Sequence, residues 1–496
     1  MNAALKNGKD LSPAAVLPRN KALFYGGQWH APGHGRFVPT SNPANGEVIG
    51  ETAQATASDV DAAVAAASEA FKSWRKTKPS ERAELLRKAA AILRDNAEEL
   101  AMLDALNTGN PVAEMVADAK IAAANLDYFA GIAMEAKGHT IPMGDNNLNY
   151  TVREPLGVVV RVVAYNHPLM FAAQKLGAPL AAGNTVIIKP SEQAPLSAIR
   201  MAELIGGVFP PGVVNVLTGA RECGEALTAH PLVKKITLIG STATGKAILR
   251  GCADTIKQVL LELGGKNPLI AYPDATLEKL ADGIVRGMNF TWAGQSCGST
   301  SRVFLHDDIH DEVLARVVEI LATRHKPGIP TDWATTMGPV ISKAHHERVL
   351  NYIETSKREG ARLVTGGKTP SDPALANGYF IEPTIFADMR SDMTIANEEV
   401  FGPVMAVFRW SDENEMFNIV NSVEYGLTAS IWTNNLTAAH RAASRVESGF
   451  VWINNVSQHF LGAPFGGYKN SGIGREECVE ELLEFTQVKN VNINLG

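Results

Sequence analysis

Between residues 156 and 265 the chain alternates short β-branched runs with helical stretches, and this alternation limits the fold more than any other feature. LGVVVRVVA, NTVIIKP, VVNVLTG, KKITLIG and QVLLELGG read as strands. HPLMFAAQKLGAPLAAG, APLSAIRMAELIGGVF, ECGEALTAH and TGKAILRGCADT read as the helices between them. Strands joined through helices lie parallel, and a parallel sheet is covered on both faces, so its strands are apolar throughout. The expected class is α/β, with a doubly wound parallel sheet.

A second alternating series runs from residue 265 to about residue 465. It has helices at LEKLADGIVRGMNFTWAG and DEVLARVVEILATRH, and strands at SRVFLH, FGPVMAVFRW and ASIWTN. A chain of 496 residues exceeds one core, so the two series imply two domains. Ahead of them, residues 22–56 are turn-rich and read as hairpins. From Ser58 to about Lys137 the pattern is helical, with Ser58 as N-cap and Asp61 three residues on. PSERAELLRKAAAILRDNAEELAMLDALNTG reads as one helical stretch that ends at Gly109. Near the C-terminus, QVKNVNINL is a lone strand that needs a partner edge, in its own chain or another subunit's.

Composition excludes several partners. The net charge is −6, so no basic excess argues for nucleic acid or an anionic membrane. No run reaches the roughly 18–20 apolar residues of a membrane helix. The first residues lack the continuous apolar core of a secretory signal. Four well-separated cysteines, Cys223, Cys252, Cys297 and Cys478, are no disulfide framework and fit a reducing, cytoplasmic setting. His306 and His310 are four apart but lack a third ligand, so no metal is expected.

Four stretches can carry chemistry. In KKITLIGSTATGKAI a strand runs into Gly240, Ser241 and Gly245 before a helix; such a turn holds an anion or is an ordinary connection. In NTVIIKPSEQAP, Lys189 and Glu192 follow a strand's carboxyl end, where nucleotides bind in open α/β sheets; a solvated loop is the other reading. In LLELGGKNP, Glu262 ends a buried run and is either a general base of raised pKa or a salt-bridged strand end. In NFTWAGQSCGSTSR, Cys297 lies among small polar residues, with room for a substrate carbon, and is either a nucleophile or an inert thiol.

With these residues in order, the chain resembles the NAD(P)-dependent aldehyde dehydrogenase superfamily nearly end to end. The motifs are KPSE (189–192), GST (240–242) with Gly245, ELGGKNP (262–268), GQSC (294–297), EEVFGPV (398–404) and PFGGYKNSGIGRE (464–476). The resemblance implies Cys297 as nucleophile and Glu262 as general base. It implies Asn166, in AYNHP, as oxyanion donor together with the Cys297 N–H. Lys189 and Glu192 match contacts to the adenosine ribose, and Ser241 the pyrophosphate contact. Glu399 and Phe401 match residues beside the nicotinamide. Lys175 and Glu476 match polar residues credited in some members with a proton path to the base. Members that pass the acyl group to coenzyme A commonly lack the equivalent of Glu262, so hydrolysis is expected.

Two departures stand out. The usual proline–tryptophan–asparagine–phenylalanine–proline segment is here Ala164-Tyr165-Asn166-His167-Pro168, and the usual GREGG is GREEC, with Glu477 and Cys478. The second departure is expected to alter the local helix start without loss of activity. His167, Met170, Phe171 and Gln174 share one helical face, which lines the substrate tunnel in the family. Tyr165, Trp292, His459 and Phe460 are further candidates around it.

The expectation is a hydrolytic, NAD-preferring aldehyde dehydrogenase, with NADP the weaker alternative because Glu192 would repel a 2′-phosphate. Its substrate would be an aromatic or medium-sized apolar aldehyde; a small polar or cationic one, an aminoaldehyde or betaine aldehyde, is the runner-up. The cofactor domain would comprise residues 1–137 and 158–264, and the catalytic domain 265–477. A small β arm of 138–157 and 478–496 would join a homodimer or homotetramer. Two rivals are a non-catalytic binding or structural protein on the same scaffold, and a cofactor-free thiol hydrolase.

Overall fold

The computed structural model describes residues 5–6 and 9–496, with side chains from residue 11 onward. Residues 1–4 and 7–8 of the N-terminal tail read above lie outside the described residues.

The five expected strands form the centre of an eight-stranded sheet. Gln258–Glu262, Val233–Ile239, Val158–Val162, Thr185–Lys189 and Val214–Val216 lie side by side and parallel. Alternate side chains enter opposite faces. Val158, Val160 and Ile187 join one apolar cluster; Val159, Val186 and Ile188 join another. Both clusters are closed to water, and each such side chain contributes about 1.5–3 kcal/mol of burial. Apolar runs without polar alternation are therefore what this sheet requires.

Antiparallel strands finish both edges. Gly472–Ile473 pairs with Gln258–Glu262, and the hairpin Leu23–Tyr25/Gln28–His30 pairs with Val214–Val216. The second hairpin of the turn-rich segment, Phe37–Ser41 with Val48–Ala53, stands as its own two-stranded sheet.

The second series builds a seven-stranded sheet with Pro268–Ala271 between Arg302–His306 and Thr428–Trp432. Its pairs are parallel except Arg362–Thr365 with Thr384–Ala387. Only five residues separate Gln258–Glu262 in one sheet from Pro268–Ala271 in the other. A third sheet is antiparallel: Thr140–Pro142, Asn147–Pro155 and Thr486–Asn494. The C-terminal strand thus finds its partner edge in its own chain.

Local starts and stops differ from the periodicity. The first long helix, Ala57–Trp74, is capped by Thr56, not Ser58. The Thr56 hydroxyl accepts from Asp59 N–H while Asp59 accepts from Thr56 N–H, a reciprocal capping box two residues earlier than expected. The stretch from Pro79 breaks at Asn96 into Pro79–Asp95 and Ala97–Thr108. The stretch from His167 divides into Pro168–Gln174 and Gly177–Ala182. No helix among the described residues is long and apolar enough to cross a membrane.

Candidate active site

Cys297 follows a short 3-10 turn, Phe290–Trp292, and the backbone turns left-handed at Asn289, Ala293 and Gly294. Asn267 fixes the loop. Its Nδ2 donates to the carbonyls of Cys297 at 2.6 Å and Ser299 at 3.0 Å, while its Oδ1 accepts from Thr428 N–H. A Cβ on Gly265 would lie 2.7 Å from the Cys297 carbonyl oxygen, so this approach requires glycine. The other three cysteines are buried, whereas Cys297 keeps partial exposure.

Glu262 ends the strand Gln258–Glu262 and aims at this loop. Cys297 Sγ–H donates to Glu262 Oε1 at 3.0 Å. Burial, reinforced by Glu476, pushes the Glu262 carboxyl up to about 7, and Lys175 opposes the shift. Burial and the adjacent Glu262 charge hold the Cys297 thiol well above its ordinary value. The surroundings therefore keep a thiol at rest, with a proton acceptor in contact.

Behind Glu262 lies a buried ionic chain. Lys175 Nζ donates to Glu476 Oε2 at 2.6 Å, and Arg161 Nη2 reaches Glu476 Oε1 at 2.9 Å and Glu481 Oε1 at 3.2 Å. Arg161, which interrupts the apolar run of Val158–Val162, is fully buried, so its charge needs these partners. Its role was invisible in the sequence because both carboxylates lie some three hundred residues away.

Two cavities meet at Cys297 and Glu262. The first, about 530 Å³, opens over the carboxyl ends of the parallel strands. Lys189, Glu192, Gly240, Ser241, Asn166, Glu399 and Phe401 line it. Ser241 caps the helix Thr242–Ala253, its Oγ accepting from Thr244 N–H. Glu399 accepts from Gly265 N–H at 2.9 Å, and burial pushes its carboxyl up to about 6. Phe401 holds φ at 55°, and its carbonyl accepts from His345 Nε2 at 2.7 Å. Gly245 is not on the wall; a Cβ there would meet Leu263 at 2.9 Å, so it serves helix-on-strand packing. Tyr165 lines this cavity, edge-on to Phe401 with 6.0 Å between ring centroids, and not the substrate-side one expected for it. Asn110 Nδ2, unforeseen in the sequence, donates to the Asn166 carbonyl at 2.7 Å.

The second cavity, about 420 Å³, takes the expected face: His167, Met170, Phe171 and Gln174, with Trp292 and His459. Phe460 lies outside its lining and is half exposed; its neighbour Leu461, also exposed, contributes to the lining instead. Two carboxylates on the wall were not anticipated. Asp118 Oδ2 sits 2.6 Å from His167 Nδ1, and Glu477 Oε2 sits 3.1 Å from His459 Nδ1. Glu477 thus does more than alter a helix start: the helix begins at Val479, and the Glu477 side chain joins the cavity wall.

The sequence profile of the aldehyde dehydrogenase family matches residues 29–491. The aldehyde dehydrogenase tropH of Talaromyces stipitatus is 58% identical, covering 97% of this chain and 95% of its own. A hydroxyisobutyraldehyde dehydrogenase of Mycolicibacterium austroafricanum is 43% identical, covering 95% and 94%. An NAD+ complex of a Bacillus cereus aldehyde dehydrogenase superposes with a TM-score of 0.94 at 40% identity, covering 97% of this chain and 98% of that one. Sheet order, thiol and carboxylate at one junction, and relatives matched over nearly their full length agree: the chain belongs to the aldehyde dehydrogenase family.

Proposed function

We propose that the protein oxidises an aromatic or medium-sized apolar aldehyde to its carboxylic acid with NAD, through a thiohemiacetal and then a thioester on Cys297. The observation that carries this is the meeting of a cofactor-sized and a substrate-sized cavity at Cys297 and Glu262. The residues fit a dinucleotide. A helix N-terminus at Ser241 suits pyrophosphate, and carboxylates at Glu192 and Glu399 suit ribose hydroxyls. Lys189 and Phe401 complete that wall. Glu192 supports NAD over NADP, and the NAD+ found in the Bacillus cereus relative supports the same choice.

Each residue then has a task. Glu262 accepts the Cys297 proton, and the sulfur adds to the aldehyde carbon. The Asn166 side-chain amide and the Cys297 N–H donate to the resulting oxyanion. NAD, when bound, supplies the hydride acceptor that takes this adduct to the thioester level. Glu262 next takes a proton from water, which displaces the sulfur and releases the acid. Lys175 and Glu476, paired behind Glu262, set its proton affinity and offer its proton a way out.

Met170, Phe171 and Trp292 give the substrate cavity apolar walls. Cationic aldehydes rank second, because Asp118 and Glu477 already hold imidazoles. Free thiols at all four cysteines fit a cytoplasmic setting, and the third sheet fits a homodimer or homotetramer.

The test is NADH formation with benzaldehyde, hexanal, an aminoaldehyde and betaine aldehyde. Turnover should be strongest on the first two and should fall at least about a thousandfold in Cys297→Ala. Turnover that survives in Cys297→Ala would refute the mechanism. Turnover confined to the cationic aldehydes would refute the substrate class alone.

A further inference from the structure

The substrate cavity contains two imidazoles built in the same way, and neither is explained by the oxidation chemistry. His167 Nδ1 meets Asp118 Oδ2 at 2.6 Å, and His459 Nδ1 meets Glu477 Oε2 at 3.1 Å. Neighbouring rings fix both. His167 sits 5.3 Å from Phe171 and 5.3 Å from Trp292; His459 sits 4.4 Å from Phe465 and stacks on Phe450 at 6.0 Å. With Nδ1 held by a carboxylate, Nε2 is the ring nitrogen each histidine can offer to a ligand.

Glu477 is placed at a cost. Its backbone holds φ at 66°, a conformation glycine adopts freely and a glutamate does not. Its N–H donates to Glu481 Oε2 at 2.7 Å, which anchors it to the buried ionic chain. A non-glycine residue held in this region on the wall of the cavity that Cys297 also lines points to a function for its side chain. Desolvation at the cavity wall would make His459 less basic, but Glu477 outweighs it and holds the imidazole above its ordinary value.

We infer that Glu477, acting through His459 and matched by the Asp118–His167 pair, selects aldehydes that carry a hydroxyl group away from the reacting carbon. This deepens the aldehyde-oxidising reading and rests on it. A hydroxyl both donates and accepts, so it satisfies an imidazole Nε2 in either protonation state. A carboxylate on the substrate would face Asp118, Glu477 and Glu262, and a cation would find the first two already paired. A neutral, hydrogen-bonding aldehyde fits best. His459 is the specificity-determining contact; Glu477 is a positioning residue.

The experiment compares hydroxybenzaldehyde, as the better of its meta and para isomers, with the methyl-substituted benzaldehyde of the same shape. The wild-type enzyme should favour the hydroxyl compound in kcat/KM by about tenfold or more, since a polar site rejects the analogue that leaves it unpaired. His459→Phe and Glu477→Gly should each bring the ratio to within about twofold of unity, with Glu477→Gln retaining most of it. The double variant should be no lower in ratio than His459→Phe alone, because both act on one contact. A wild-type enzyme that oxidises both compounds equally well would overturn the hydroxyl preference and leave aldehyde oxidation standing. Variants that slow both compounds in parallel would assign the pair a structural role and also overturn it. A wild-type enzyme that oxidises neither would remove the reading beneath it as well.

Discussion

A thiol touching a buried carboxylate leaves room for one negative charge, and the proton between Cys297 and Glu262 decides which group can act. Below about 7 Glu262 is protonated and can accept a proton from neither the thiol nor water. The rate should therefore rise with pH through that region. Lys175 opposes the upward shift of Glu262, so Lys175→Met should move the rising limb to higher pH. A limb that stays in place in pre-steady-state NADH formation would separate Lys175 from the base. Glu262→Gln should lower turnover by about a hundredfold or more, the scale of a lost general base. Asn267 acts at one remove. Asn267→Ala strands the Cys297 and Ser299 carbonyls and should destabilise the fold by about 1–3 kcal/mol in urea unfolding, with a larger loss of turnover than of cofactor binding.

Elements were legible where periodicity is local and obscure where pairing is distant. The five parallel strands stand where β-branched runs put them, because burial on both faces leaves no alternative composition. The caps were harder. Ser58 and Asp61 have the right residue types and spacing, yet Thr56 and Asp59 make the box, since spacing alone fits either pair. The added strand Gly472–Ile473 has no pattern of its own; two residues show no period, and its partner Leu261–Glu262 lies about two hundred residues earlier in the chain. That pairing, with Gly264 and Gly265, brings one sheet's Glu262 against the other sheet's thiol loop. Gly265→Ala should press on the Cys297 backbone and cut kcat at least about tenfold, a misplacement of the order of an ångström. Full activity in this variant would mean that the loop can retreat without cost.

At the scale of the whole molecule, residues scattered from Asn110 to Glu481 converge on one junction. Motifs pointed to Cys297, Glu262 and the wall of the first cavity because each lies on a glycine turn or a strand end. Asp118 carried no such mark, and Asn267 and Glu477 stood in quoted motifs without a role, since a hydrogen bond across the fold leaves no trace in spacing. The third sheet extends the same logic beyond the chain. Thr486–Asn494 pairs with Asn147–Pro155 along its whole length on one side, and among the described residues its other side is an open edge bearing exposed Val488 and Ile493. An unpaired, partly apolar edge invites another strand, and a second copy of the chain can supply one with closed symmetry. Removing residues 487–496 should take the mass in light scattering from a homo-oligomer to a smaller species. The parallel sheets should remain folded, because neither uses this strand in its ladder. An unchanged mass after this deletion would mean that assembly, if it occurs, uses another face.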